Sequence, residues 1–164
     1  MKIGQSPWYR ALGFTLIELL VTVALIGILA SVAVPMAEIT LQRDRERELK
    51  DALRTVRRAI DAYKQAVDEG RIARTVEDSG YPPSLEVLVN GVQDQHDPQG
   101  STLRFLRQVP RDPMQADASL PASKTWGKRS YASSLERPMA GRDVFDVHSL
   151  ATGTGLNGIP YKQW

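Results

Sequence analysis

An α+β fold, with one long N-terminal helix, transmembrane and then amphipathic, packed on a small antiparallel β-sheet, follows from three observations. Residues Phe14 to Met36 are almost wholly apolar, and from Leu49 to Val67 apolar residues recur at steps of four and three. Beyond Gly70 the chain falls into short segments separated by glycine and proline. The first pattern suits a helix surrounded by apolar matter on all sides, the second a helix with one buried face, and the third the short strands and turns of a sheet.

The apolar run FTLIELLVTVALIGILASVAVPM needs about 20 residues at about 1.5 Å rise to cross the hydrocarbon layer of a bilayer, and it has them. A cleavable secretory signal would be shorter and end in a small-residue site on its far side; Ser31-Val32-Ala33 is a weak version of one, and apolar character continues to Met36. The ionisable side chain inside the run is Glu18. A carboxylate at membrane depth costs a few kcal/mol unless it has a partner, so Glu18 is a candidate functional residue. Gly27 and Pro35 weaken the helix, Pro35 by removing a backbone donor, and predict a loosened point and a kink or break.

After Pro35 the pattern predicts an amphipathic helix over residues 36–69, closed by Gly70, with Leu49, Leu53, Val56, Ile60, Tyr63 and Val67 as its buried stripe. The segment RDRERELKD, residues 43–51, reads as its charged face. Ser84 and Asn90-Gly91 bracket a brief helix over residues 85–89, residues 92–101 read as a loop, and residues 103–108 as a second short helix. Pro110 and Pro113 prevent regular helix, and residues 125–132 and 143–149 are strand candidates joined across Pro138 and Gly141.

Composition narrows the function. The formal charge is +2 over 164 residues, but Lys2 and Arg10 precede the apolar run; taking those two from the 21 basic side chains leaves 19 against 19 acidic ones. The basic balance therefore supports no phosphate-binding role. Arg54, Arg57 and Arg58 are interleaved with acids, which reads as a solvated or subunit-facing helix surface rather than a nucleic-acid contact. The absence of cysteine excludes thiol catalysis and Cys-based zinc sites. His96 and His148 have no nucleophile or ligand spacing around them, and no P-loop, dinucleotide-binding glycine pattern or HExxH motif is present, so the reading is not an enzyme.

The junction Ala11-Leu12-Gly13-Phe14-Thr15-Leu16-Ile17-Glu18, with its short basic leader, resembles the class III signal of type IV prepilins and type II secretion pseudopilins. The resemblance implies a leader at 1–13 removed by prepilin peptidase between Gly13 and Phe14, and N-methylation of Phe14. It implies an assembly role for Glu18 through a neighbouring subunit's amine, and a membrane and assembly helix at 14–36 in which Pro35 is the twenty-second mature residue. A periplasmic domain would occupy 37–164. The order YPPSLEVL, FLRQVPRDPM, WGKRSY, DVFDVHS and Trp164 resembles, more narrowly, the major pseudopilin or G subunit of type II secretion systems. That implies a pilin-like fold and a filament subunit held in the bacterial inner membrane. Its partners would be further copies, other pseudopilins, the inner-membrane assembly platform and membrane lipid. The alternative is a major or minor type IV pilus subunit in adhesion, motility or DNA uptake.

One departure concerns calcium. The G-subunit resemblance implies a C-terminal loop with several metal-binding aspartates, yet SLATGTGLNGIPYKQW carries no carboxylate side chain after Asp146. Asp143, Asp146, Asn157 and carbonyls could supply the six to eight oxygens that calcium takes only if the loop folds back. The expectation is no cofactor: Gly153, Gly155 and Gly158 serve turns, while Ile159, Tyr161 and Trp164 pack onto the sheet in place of a metal.

Overall fold

The computed structural model describes residues 14–164. Helix α1 spans Leu16–Asp68 and is followed by α2 (Leu85–Asn90), β1 (Val92–Gln93), β2 (Thr102–Leu103), β3 (Trp126–Arg129) and β4 (Asp146–Ser149). Single 3₁₀ turns cover Ala122–Lys124 and Tyr161–Gln163. This is the α+β, pilin-like arrangement that the sequence predicts, with one long helix and small antiparallel sheets. By its internal contacts the chain divides into a unit ending at Leu41 and a compact unit, Gln42–Trp164.

In the compact unit the predicted stripe is the core. Leu49, Leu53, Val56, Ile60, Tyr63 and Val67 are all buried, with Ala52, Ala59 and Ala66 filling in beside them. They meet Leu85 and Leu88 of α2, Trp126 of β3, Val147 of β4, and Val144 and Tyr161. Each large aliphatic side chain contributes about 1.5–3 kcal/mol by leaving water, so the stripe is the main reason this unit holds together. The Trp126 indole N–H, carried inside by its ring, donates to the Pro110 carbonyl at 2.8 Å. Helix α1 stops where Gly70 takes φ of 75°. Gly70 N–H then reaches the Val67 carbonyl and Arg71 N–H the Ala66 carbonyl, the paired bonds of a Schellman cap.

Strands β3 and β4 pair antiparallel from Trp126 with Ser149 to Arg129 with Asp146. Both are shorter than the sequence predicts. Beyond Arg129 the Ser130 N–H bonds to the Met139 carbonyl and Val144 N–H to the Pro82 carbonyl, so these donors leave the ladder.

Four other expectations are corrected. Residues 92–101 are not simply a loop, because Val92 and Gln93 pair with Leu103 and Thr102. Residues 103–108 form no helix: Phe105 and Leu106 N–H both donate to the Leu88 carbonyl, satisfying the C-terminal end of α2 rather than a turn of their own. Pro35 does not break α1, which is continuous through it. Ile159 is exposed, while Tyr161 is buried and Trp164 partly so, so apolar packing alone does not fix the C-terminal loop.

Candidate functional site

Phe14 lies two residues ahead of α1 and Glu18 in its first turn. Thr15 is the residue before the helix, and its hydroxyl accepts the Glu18 N–H at 3.2 Å while its carbonyl accepts the Leu19 N–H. Thr15-Leu16-Ile17-Glu18 thus has the residue pattern of a capping box, with Glu18 at the third helical position. Carboxylates are favoured there by the partial positive charge of the unpaired N–H groups. Thr15 was not singled out from the sequence; the signal that finds it is threonine three residues ahead of glutamate at the mouth of an apolar run. Pro35 lies 17 residues beyond Glu18, about 25 Å along the helix, so it shares no site with Glu18. Gly13 lies outside the described residues.

Between Phe14 and Ile39 the large apolar side chains that the structure describes stand exposed, among them Leu16, Ile17, Leu20, Leu25, Ile28 and Leu29. Leaving such a run in water would cost more than the whole stability of a small domain, about 5–15 kcal/mol, so it requires foreign apolar surroundings. Its polar side chains suit that setting. Thr22 Oγ1 donates to the Leu19 carbonyl at 2.9 Å and Ser31 Oγ to the Ile28 carbonyl at 2.7 Å, so each hydroxyl is satisfied within the helix. Among the described residues this is one helix long and apolar enough to cross a membrane.

Asp143, Asp146 and Asn157, the side chains that could supply calcium oxygens only if the loop folded back, are engaged with donors. The Asp143 carboxylate accepts the Ser79 and Ser130 hydroxyls and the Tyr131 N–H. Burial pushes this carboxyl up, but Ser130, Ser79 and the Tyr131 N–H outweigh it and hold it below the ordinary aspartate value. Asp146 faces two guanidinium groups, Arg57 Nε at 2.8 Å and Arg129 at 3.3 Å. Asn157 Oδ1 accepts the Ile159 N–H at 3.0 Å. Three separate donor sets, the one at Asp146 holding two cations, do not make an oxygen cage for a divalent cation. Among the described residues no group of three or more His, Cys, Asp or Glu side chains has metal-holding geometry.

Of the histidines, His96 is exposed and His148 is half-buried on β4 opposite Gly127. Arg57 is no free helix cation for nucleic acid, being bound to Asp146 and to the C-terminal segment.

Residues 8–34 match the prokaryotic N-terminal methylation motif. Over 119 residues the chain is 32% identical to the type II secretion system core protein G of Pectobacterium carotovorum subsp. carotovorum, covering 71% of this chain and 70% of that protein. The chain belongs to the type II secretion core protein G family. Membership makes it a pseudopilin-like protein, and its apolar N-terminal helix is the candidate membrane span of such a subunit. No solved structure matches it.

Proposed function

We propose that this chain is a structural subunit of a type II secretion pseudopilus, a periplasmic filament that drives folded proteins across the outer membrane. The observation that supports this most is the reach of the similarity. A 119-residue alignment cannot be contained in the methylation motif at 8–34 and must extend into the compact unit.

In this reading residues 1–13 are the leader, cut by prepilin peptidase after Gly13, and Phe14 carries the methylated amine. Residues 14–36 hold the subunit in the inner membrane until a filament of further copies and other pseudopilins, built on the assembly platform, takes over the apolar surface. Residues 37–164 lie in the periplasm. Glu18 pairs with the amine of a neighbour: opposite charges attract far more strongly in low dielectric than in water, with desolvation limiting the net gain. The role is mechanical, needs no cofactor and involves no nucleic acid.

Deleting the gene and comparing the secreted proteome with surface piliation and twitching tests the reading. The expected outcome is loss of exported proteins with piliation intact, and a complementing copy whose mature mass begins at Phe14 plus one methyl group. Unchanged secretion with lost piliation would instead assign the subunit to a type IV pilus.

A further inference from the structure

The C-terminal segment has a polar attachment to α1 that neither the apolar stripe nor the filament model uses. Glu46 is buried although charged and belongs to the stretch of helix richest in charge. Its Oε1 accepts the Leu156 N–H at 2.8 Å, the Tyr161 hydroxyl at 3.0 Å and the Gln42 side-chain amide at 3.1 Å. Burial pushes the Tyr161 phenol up, with Glu46 adding to that against Gln42, so the hydroxyl is present as a donor.

Eleven residues later Arg57 does the converse. Its Nε donates to Asp146 Oδ1 at 2.8 Å, and its Nη2 to the main-chain oxygens of Val147 at 3.1 Å and Trp164 at 2.8 Å. Eleven residues is close to three full turns, so both side chains stand on one face, about 16 Å apart along the axis.

Between these two points the segment closes on itself. The Trp164 indole N–H donates to the Ile159 carbonyl, its ring meets Tyr161 edge-on at 5.2 Å, and Lys50 lies 4.6 Å from its centroid. A side chain at Gly155 would run into the Trp164 ring, so the loop backbone lies directly against it.

We propose that Glu46 and Arg57 are positioning residues that together clamp residues 150–164 to α1, with the Arg57 guanidinium acting as the internal cation of the C-terminal loop. The Glu46 carboxylate gathers two donors of the segment, Leu156 N–H and the Tyr161 hydroxyl, and the Arg57 guanidinium ties the Trp164 main-chain oxygen to Asp146 and Val147 of β4. Arg57 joins an aspartate and two main-chain oxygens that would otherwise face one another without a cation between them. Its planar fork donates from two separated nitrogens, Nε to Asp146 and Nη2 to the two main-chain oxygens, a spread that the single nitrogen of lysine does not reproduce. The inference concerns how the loop is held and stands whether the filament serves secretion or a pilus.

The test uses the full-length subunit in detergent micelles, with amide hydrogen exchange read by segment and thermal melts taken in millimolar calcium and in chelator. For the unaltered protein the two melts coincide. Arg57→Met speeds exchange across residues 150–164 by about tenfold or more while the core of α1 and α2 keeps its protection; Arg57→Lys restores only part of it. Glu46→Gln keeps the shape, removes the charge and speeds exchange most at the Leu156 amide. A calcium-dependent rise in melting temperature of the unaltered protein overturns the proposal, and that measurement needs no variant. Unchanged exchange over 150–164 in folded Arg57→Met also overturns it, as does full restoration by lysine.

Discussion

Leu20, Leu25 and Leu29 in the first half of α1 are exposed, while Leu49 and Leu53 in the second half are 0% and 2% exposed. The residue type and the helix are the same. What differs is the pattern around them: before Leu41 apolar residues run round the whole helix, whereas after Gln42 they occupy one stripe. A stripe can be covered by the protein's own α2, β3 and β4, but a helix apolar on every side needs a surrounding that the fold does not supply. The first half is therefore a surface that needs apolar surroundings from outside the fold, and the second half is a core.

The largest effect that sharpens this contrast comes from one substitution made in both halves. Leu53→Ala should cost about 2–5 kcal/mol of stability, because it leaves a cavity in a close-packed core. Leu20→Ala should leave the melting of the compact unit within about 0.5 kcal/mol of the unaltered protein. Chemical denaturation of both variants in micelles measures this, and equal losses would erase the distinction.

A smaller effect tests how tightly the sheet is built. At Gly127 an added Cβ would lie 2.6 and 2.7 Å from carbons of the His148 ring across the β3–β4 pair, and closer still to its Nε2. Gly127→Ala should cost about 1–3 kcal/mol through overpacking. The double variant Gly127→Ala with His148→Ala should recover part of that loss, and no recovery would show that the ring is not the obstacle.

The smallest effect is on pH dependence. Burial lowers the His148 pKa below its ordinary value; Asp146 pulls it up, while Arg129 and Arg57 push it further down. As pH falls below about 6.5 the unfolded chain takes up this proton before the folded one, so stability declines until the folded pKa is crossed. An NMR titration of His148 should give a midpoint below 6.5, and a midpoint at or above that value contradicts the burial argument.

The long helix, its two halves and the core from Leu49 to Val67 were legible because spacing along a helix states directly which faces are buried. Strands β3 and β4 were legible in place but not in length, since their ends are set by Asp143 capturing Ser130 and Tyr131 from another part of the chain. The hairpin of β1 and β2 was hidden because two-residue strands carry no alternation, and the segment from Leu103 to Gln108 misled because a distant carbonyl at Leu88 claims the Phe105 and Leu106 N–H groups. At the candidate site Glu18 was visible as a charge in an apolar run, whereas its cap from Thr15 was overlooked. Glu46 was concealed among its charged neighbours, although it extends the buried stripe by three residues ahead of Leu49.

The central claim is that the start of α1 serves assembly and the compact unit serves its own fold, and Glu18→Gln in the full-length subunit tests it most directly. Glutamine can fill the same place in a capping box, so the helix start is kept while the charge is removed. Filaments recovered from cells and the melting of the compact unit are measured together. The account predicts that filaments are lost or disordered while the melting temperature is unchanged; normal filaments from Glu18→Gln would contradict it.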